Sequence, residues 1–314
     1  MSDKIDLLIR GIEQCDRRAL ARSISVVENK EEGVDRLLSY AYRNAKSHPL
    51  VIGLTGPGGA GKSTIVNQTV KELRRRGKKV AVMAVDPSSP YTGGAFLGDR
   101  IRMGRHNMDE GVFIRSFASR GCMGGISEGT KNALYLFKNY DFDVIIIESL
   151  GIGQDETDIT EFVDATVVAV VPGYGDEVQI AKAGMQEIAD IFVVNKADKP
   201  DAKEFYHQLM TQFLNVPQEI RPVILMTVAT EGTGIPELAD TMLQIADKHR
   251  ENRPVREKAR IRTEIETQTL AKMKRYLKQQ IDEYTEQVIE KKLTPYDAAN
   301  LLFDSIRPEG PQDL

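Results

Sequence analysis

A glycine-rich run early in the chain matches the pattern G-x-x-x-x-G-K-S of a phosphate-binding loop. The apolar segment 51–54 in front of it predicts a buried strand, and residues 64–73 behind it predict a helix. In that context, consecutive backbone N–H groups point at phosphate oxygens at the positive end of a helix dipole. We expect Lys62 to reach the β- and γ-phosphates and the Ser63 hydroxyl to ligate Mg²⁺. The residues expected around the phosphates are Gly56, Pro57, Gly58, Gly59, Ala60, Gly61, Lys62, Ser63 and Thr64.

A second motif, N-K-x-D, follows the apolar run 191–194. The Asp198 carboxylate can accept hydrogen bonds from the ring N–H and the exocyclic amine of guanine, which adenine does not offer. We expect Asn195 to brace this loop and meet the base edge, and the aliphatic stem of Lys196 to lie over the ring plane. The motif therefore predicts a guanine nucleotide.

A third segment, Val228, Ala229 and Thr230, follows the last apolar run of the same zone. Its backbone N–H groups could reach the carbonyl oxygen of guanine. The tetrapeptide it belongs to is not specific, and a simple strand end explains it equally well.

Asp86 and Glu148 each follow an apolar run, and Asp99 lies in the glycine-rich segment beyond Asp86. Together with Ser63 they offer the oxygen ligands that Mg²⁺ prefers. Helix capping or salt bridging is the alternative interpretation of each. We therefore predict a metal site from Ser63, Asp86, Asp99 and Glu148, and catalytic roles for Lys62, Glu148 and Asp99.

The segment after Glu148 has the features of a nucleotide-sensing switch. The Gly151 N–H is placed to sense the γ-phosphate, which gives the loop a reason to change shape on hydrolysis. Ile152 follows, where many small signalling GTPases carry the glutamine that orients water, and Gln154 or Glu148 could substitute for it. We expect slow unaided hydrolysis and a partner that completes the site.

The elements needed to position these residues can be predicted from the apolar pattern. Continuous rather than alternating apolar runs indicate strands covered on both faces, as in a mostly parallel sheet flanked by helices, and ligands bind such sheets at the strands' carboxyl ends. The sequence therefore predicts an α/β fold with an N-terminal helical extension over 1–47, a nucleotide-binding domain over 48–255 and a C-terminal helical dimerisation arm over 256–314. The predicted strands cover 51–54, 80–85, 112–114, 144–147, 166–171, 191–194 and 222–227.

Composition limits the possible partners and location. The net charge of −4 argues against non-specific nucleic-acid binding. Cys15 and Cys122 are distant in sequence and predict reduced thiols rather than a disulfide framework or a sulfur metal site. No run is typical of a signal peptide or a membrane span, so we expect a cytoplasmic protein with no membrane partner.

Taken together, these motifs resemble the MeaB/ArgK/MMAA family of P-loop GTPases, chaperones of adenosylcobalamin-dependent acyl-CoA mutases. The resemblance covers nearly the whole chain, and the stretch 86–103 is more specific than the phosphate loop. Ser149 and Asp155 depart from it, since relatives usually carry Thr and Ser there, which bears on rate and partner coupling. The segments that carry the resemblance are 56–64, 85–90, 93–103, 148–154, 171–176 and 195–198.

The resemblance implies a homodimeric GTPase that binds GTP, GDP and Mg²⁺ and assists the assembly, protection and reactivation of a mutase of the methylmalonyl-CoA type. It also implies that a loop around 172–179 relays the nucleotide state to the partner. The switch residues it implies are Gly151, Gln154, Gly173, Asp176 and Gln179.

Two other classes remain as alternatives. A nickel- or zinc-handling GTPase of the same fold usually displays Cys- or His-rich metal motifs, and the histidines here are scattered. A kinase would need an acceptor pocket, and Asp198 favours guanine over adenine. The four histidines are His48, His106, His207 and His249.

Overall fold

The computed structural model describes residues 2–87, 108–120, 126–151, 159–173, 185–250 and 253–306. The chain divides into two compact units, Met1–Arg253 and Pro254–Leu314. Within the described ranges, none of the helices combines the length and the apolar character that crossing a membrane requires.

The first unit contains a seven-stranded sheet in which every pairing between described strands is parallel, as predicted. The strand order is β3-β2-β4-β1-β5-β6-β7, so β1 lies between β4 and β5 in the middle of the sheet. The strands are β1 Leu50–Thr55, β2 Val80–Asp86, β3 Val112–Ala118, β4 Val144–Glu148, β5 Ala165–Val170, β6 Ile191–Asn195 and β7 Val223–Thr227.

Helices cover both faces of this sheet. Successive residues of a strand face opposite sides, and β2 shows this directly, since Met83 packs in one hydrophobic cluster and Val82 in another. This two-sided burial explains why the strands read as continuous apolar runs. The helices of this unit are α1 Ser2–Glu13, α2 Arg17–Glu28, α3 Val34–Arg43, α4 Lys62–Arg75, α5 Glu128–Phe137, α6 Met185–Ile188, α7 Ala202–Gln212 and α8 Ile235–Arg250.

The N-terminal helices α1 to α3 are part of the main core rather than a loose extension. Leu20 and Ile24 of α2 are fully buried in one cluster with Phe137 of α5 and Ile145 of β4. The Asp16 carboxylate caps α2 by accepting a hydrogen bond from the Arg18 N–H at 3.0 Å. The helical character predicted for residues 1–47 is present in these three helices.

The second unit is helical, with α10 at Lys278–Ile289 and α11 at Pro295–Ile306, while α9 runs from Arg253 to Tyr276. Thr294 caps α11, because its hydroxyl accepts from the Asp297 N–H at 3.2 Å and donates to the Asp297 carboxylate at 2.7 Å. Several large apolar side chains on these helices are exposed: Ile265, Leu270, Tyr276, Ile289, Tyr296 and Phe303.

Candidate functional site

The carboxyl ends of five parallel strands bring the predicted site residues to one edge of the sheet. β1 ends at Thr55 and leads through the loop 56–61 into α4. β2 ends at Asp86, β4 ends at Glu148 and β6 ends at Asn195. β7 ends at Thr227, directly before the predicted segment 228–230. This placement follows from the parallel topology, in which carboxyl ends share an edge.

The phosphate loop curls around the lysine that begins α4. The Lys62 ammonium donates to the carbonyl oxygens of Gly56 at 2.7 Å and Pro57 at 3.2 Å, and its side chain is buried. Gly61 has φ +88° at the helix N-cap, and a Cβ there would lie 2.4 Å from the Asn195 amide nitrogen. Because a side chain cannot fit at this point, the loop needs glycine there.

Two acidic side chains lie buried beside the loop. The Ser63 hydroxyl donates to Oε1 of Glu148 at 2.7 Å. Asp86, at the end of the neighbouring strand β2, is only 2% exposed, and Glu148 is 5% exposed. A hydroxyl and carboxylates are the hard oxygen donors that Mg²⁺ prefers, so the donor set fits that ion.

The third predicted carboxylate, Asp99, lies outside the described residues. Within the described ranges, no three His, Cys, Asp or Glu side chains meet in a group that could hold a metal ion. The magnesium site therefore remains a prediction that is supported by the chemistry of Ser63, Asp86 and Glu148.

Gly151 lies directly against the phosphate loop. It has φ +73°, and a Cβ at this position would lie 1.7 Å from the Gly56 carbonyl oxygen and 2.4 Å from the Lys62 ammonium. The chain that leaves β4 is therefore packed against the lysine expected to hold the phosphates.

Asn195 ties the loops after three different strands together. Its amide nitrogen donates to the Ala60 carbonyl at 2.9 Å. Its oxygen accepts from the Thr227 hydroxyl at 3.0 Å and from the Ala229 N–H at 3.2 Å. The predicted bracing function fits these contacts, whereas contact with the base edge stays a prediction.

The other two residues of the N-K-x-D motif lie at the surface of the same loop. Lys196 adopts φ +58°, and its ammonium donates to the Gly59 carbonyl at 2.9 Å. Its side chain therefore bridges the base loop to the phosphate loop. The Asp198 side chain is exposed, and its contact with guanine stays a prediction.

The segment after β7 forms a tight turn rather than a plain strand end. The Val228 N–H donates to the Thr233 carbonyl at 3.1 Å, and the Ala229 N–H bonds to Asn195. These two amides thus shape the loop, while Thr230 is exposed beside them. A contact between this segment and guanine remains a prediction.

The remaining predicted site residues are distributed as follows. Thr64 is the third residue of α4 and is half-buried, while Gly58 and Gly59 are exposed at the mouth of the loop. Gly173, near the end of β5, has φ +100° and is exposed. The switch residues Gln154, Asp176 and Gln179 lie outside the described residues.

A buried hydroxyl pair at this edge of the sheet was not among the predicted site residues. The Ser149 hydroxyl donates to the Thr55 hydroxyl at 2.7 Å, and both side chains are buried. The available signal was that each is a small polar residue near the end of an apolar run. Thr55 lies directly before the phosphate loop, and Ser149 lies directly after Glu148.

A parallel sheet with a phosphate loop after its central strand and an N-K-x-D loop two strands away defines a P-loop GTPase. The family model for "Methylmalonyl Co-A mutase-associated GTPase MeaB" matches residues 20–284. The chain belongs to the MeaB family, as the resemblance implied.

Individual relatives agree with this assignment. A Pyrococcus horikoshii protein named as a GTPase is 43% identical over 96% of this chain and 98% of its own length. GTPase ArgK of Escherichia coli K12 is 36% identical over 73% of this chain and 72% of its own length. The mouse protein "Methylmalonic aciduria type A homolog, mitochondrial" is 35% identical over 77% of this chain and 64% of its own length. The chain is accordingly a GTPase that binds guanine nucleotides.

A solved structure supports the fold over the whole length. The crystal structure of an LAO/AO transport system kinase superposes with a TM-score of 0.66 at 25% identity, and it covers 98% of both chains.

Proposed function

We propose that this GTPase assists the assembly, protection and reactivation of an adenosylcobalamin-dependent acyl-CoA mutase of the methylmalonyl-CoA type. The observation that carries the proposal is the match of residues 20–284 to a family named for its association with that mutase. The name of the mouse relative, which refers to methylmalonic aciduria, points to the same metabolism.

The described residues have distinct tasks in GTP hydrolysis under this proposal. Lys62 and the amides of the loop 56–61 bind the phosphates and stabilise the negative charge that develops during transfer. Asp198 selects guanine. Ser63, Asp86 and Glu148, together with Asp99, would hold Mg²⁺, which when bound neutralises phosphate charge.

The position of Gly151 suggests how the nucleotide state reaches a partner. A phosphate at the Lys62 ammonium must be accommodated by the chain that packs on the same lysine, which is the chain leaving β4. The loop after Gly151 then has different contacts before and after hydrolysis. We infer that this loop, together with the loop 172–179, reports the nucleotide state to the mutase.

We further propose that the protein is a cytoplasmic homodimer. Large apolar side chains such as Leu270, Tyr276 and Phe303 are 63% to 76% exposed on the helices of the second unit. Exposed apolar surface of this kind is typical of protein interfaces. Light scattering on the full chain tests the proposal, and a monomer at micromolar concentration would contradict it.

The mutase proposal is tested by mixing the full chain with the methylmalonyl-CoA mutase of the same organism. We expect a complex that is favoured by a non-hydrolysable GTP analogue over GDP, and GTP hydrolysis accelerated by about tenfold or more. Lys62→Ala, which should bind GTP poorly, is the control and should show neither effect. Absence of a complex and of acceleration with the wild-type chain would overturn the proposal.

A further inference from the structure

The hydroxyl pair Thr55–Ser149 joins the two chain segments on which the proposed hydrolytic chemistry depends. Thr55 is the last residue of β1, directly before Gly56 of the phosphate loop. Ser149 follows Glu148, the last residue of β4. Their oxygens are 2.7 Å apart, with exposures of 0% for Thr55 and 3% for Ser149.

The pair extends the ladder between the two strands beyond their last register position. Leu54 is aligned with Glu148, and the Ser149 N–H donates to the Leu54 carbonyl at 2.9 Å. Because side chains alternate along a strand, Thr55 and Ser149 face the side of the sheet opposite to Leu54 and Glu148. The hydroxyl bond therefore fixes the strand ends from the face opposite to Glu148, whose carboxylate accepts from Ser63.

Both members of the pair are next to groups that must be placed accurately. Gly56, after Thr55, offers the carbonyl that accepts from the Lys62 ammonium. Glu148, before Ser149, accepts from Ser63, and Gly151, two residues later, packs on Gly56 and Lys62. A shift of one strand end against the other would displace the Glu148 carboxylate and Gly151 relative to the phosphate loop.

We propose that the Thr55–Ser149 hydroxyl pair is a positioning element for GTP hydrolysis, which sets Glu148 and the start of the switch against the phosphate loop. The proposal rests on the function proposed above for Glu148. Both hydroxyls are buried and bonded to each other. The pair is also separate from the loop of Asn195 and Asp198, so its loss should slow hydrolysis while leaving guanine nucleotide affinity nearly intact.

The test removes each hydroxyl alone and then both. Ser149→Ala and Thr55→Val should each lower the single-turnover rate about tenfold, because small displacements at a reacting centre are costly. The affinity for GDP should change by less than about twofold, while the Mg²⁺ concentration for half-maximal activity should rise several-fold. Adding Ser149→Ala to Thr55→Val should slow hydrolysis little further, because the bond that Ser149 makes to Thr55 is already lost.

Conservative variants separate the hydroxyl from its surroundings. Ser149→Thr and Thr55→Ser keep an oxygen in place and should stay within about threefold of the wild-type rate. If Ser149→Ala does not fold, the comparison of Thr55→Val with Thr55→Ser carries the test alone, because the first keeps the shape and the second keeps the hydroxyl.

A matched control lies at the other end of the same strand. The Ser47 hydroxyl donates to the carbonyl oxygens of Lys138 and Tyr140, just ahead of β1 at its amino end. Ser47→Ala should lower the thermal stability without changing the rate or its Mg²⁺ dependence. A loss of rate in this variant equal to that of Ser149→Ala would show a general stability effect and overturn the proposal.

Glu148→Gln distinguishes failure of this proposal from failure of the proposed function. If Glu148→Gln hydrolyses GTP as the wild type does, the assignment of Glu148 falls and the positioning proposal falls with it. If Glu148→Gln is inactive while Ser149→Ala and Thr55→Val keep the wild-type rate, only the positioning proposal is overturned. The same holds if both single variants are slower and their rate losses multiply in the double variant.

Discussion

The side-chain amide of Asn195 is hydrogen-bonded to the carbonyl oxygen of Ala60 at 2.9 Å. This contact joins the loop expected to read the base to the loop expected to hold the phosphates. The side-chain oxygen of Asn195 accepts from the Thr227 hydroxyl and from the Ala229 N–H. One buried side chain therefore sets the relative position of three loops.

Asn195→Ala should therefore affect both stability and binding. Truncation leaves buried groups on three loops without their partner, so we expect the free energy of unfolding to fall by about 2–3 kcal/mol. The affinity for GDP should fall by about tenfold or more, because the two binding loops are no longer held together. Urea unfolding without nucleotide and fluorescence titration with labelled GDP measure the two effects.

Asn44→Ala is the control for this variant. Asn44 also donates from its amide to a backbone carbonyl, that of Tyr40 at 2.9 Å, but it is exposed at the end of α3. Its stability loss should be within about 0.5 kcal/mol and its GDP affinity unchanged. Equal losses of stability and of GDP affinity in the two variants would show that Asn195 does not hold the binding loops together.

Gly151→Ala should impair GTP hydrolysis at the phosphate loop. The new methyl group would overlap the Gly56 carbonyl and approach the Lys62 ammonium, so the chain after β4 must move away. We expect GTP hydrolysis to fall by about 100-fold, measured as single-turnover phosphate release.

Gly77→Ala is the control that separates the effect of this clash from the effect of backbone strain. Gly77 has φ +77°, close to the +73° of Gly151, but an added Cβ there meets no atom within 4 Å. It should cost about 1 kcal/mol of stability and leave hydrolysis unchanged. A Gly151→Ala enzyme as active as Gly77→Ala would contradict the close packing of Gly151 on the loop.

Glu72 gives a prediction about pH and stability. Hydrogen bonds from Arg75 and then Arg76 lower the pKa of the Glu72 carboxyl from 4.5 to about 2. Arg76 also reaches Asp240 of α8, so the cluster joins α4 to α8. Because the folded pKa lies below the unfolded one, the stabilisation is present above about pH 4.5 and is lost as the pH falls toward 2.

Glu72→Gln should lower the free energy of unfolding by about 1 kcal/mol at pH 7, the scale of ion pairs near a surface. The difference from the wild type should shrink between pH 4.5 and pH 2, where the wild-type carboxyl takes up its proton. Urea unfolding at a series of pH values measures this, with the exposed Glu204→Gln on α7 as control. A constant difference across that range would show that the ion pairs do not cause it.

Much of the fold was predictable because the strands are covered on both faces. All seven predicted strands are present, and every boundary except the carboxyl end of β3 agrees within one residue. β3 was predicted too short, since Arg115 and Ser116 interrupt its apolar pattern while its pairing with β2 continues to Ala118. Arg115 is tolerated there because its guanidinium bonds to Glu28 of α2, a contact between distant parts of the sequence.

The site was predictable where one residue type is needed for a local shape or chemistry. Gly61, Lys62 and Ser63 are identified by spacing alone. The bonds of Asn195 to Ala60 and of Ser149 to Thr55 were not predictable, because they depend on which strands are neighbours in the sheet. Strand order is set by the packing of the whole unit and leaves no local signal.

We propose that Asp198 identifies guanine at this site. Asp198→Asn exchanges a carboxylate oxygen for an amide N–H₂, which can donate to the carbonyl that xanthine carries in place of the guanine amine. Asp201→Asn, three residues on and also exposed, is the matched control and should behave as the wild type.

The most direct test is calorimetric titration of the wild type, Asp198→Asn and Asp201→Asn with GDP and with xanthosine diphosphate. We predict that Asp198→Asn loses GDP affinity by about 100-fold or more and prefers xanthosine diphosphate, while the wild type prefers GDP by a similar factor. An Asp198→Asn protein that binds GDP as tightly as the wild type would contradict the account.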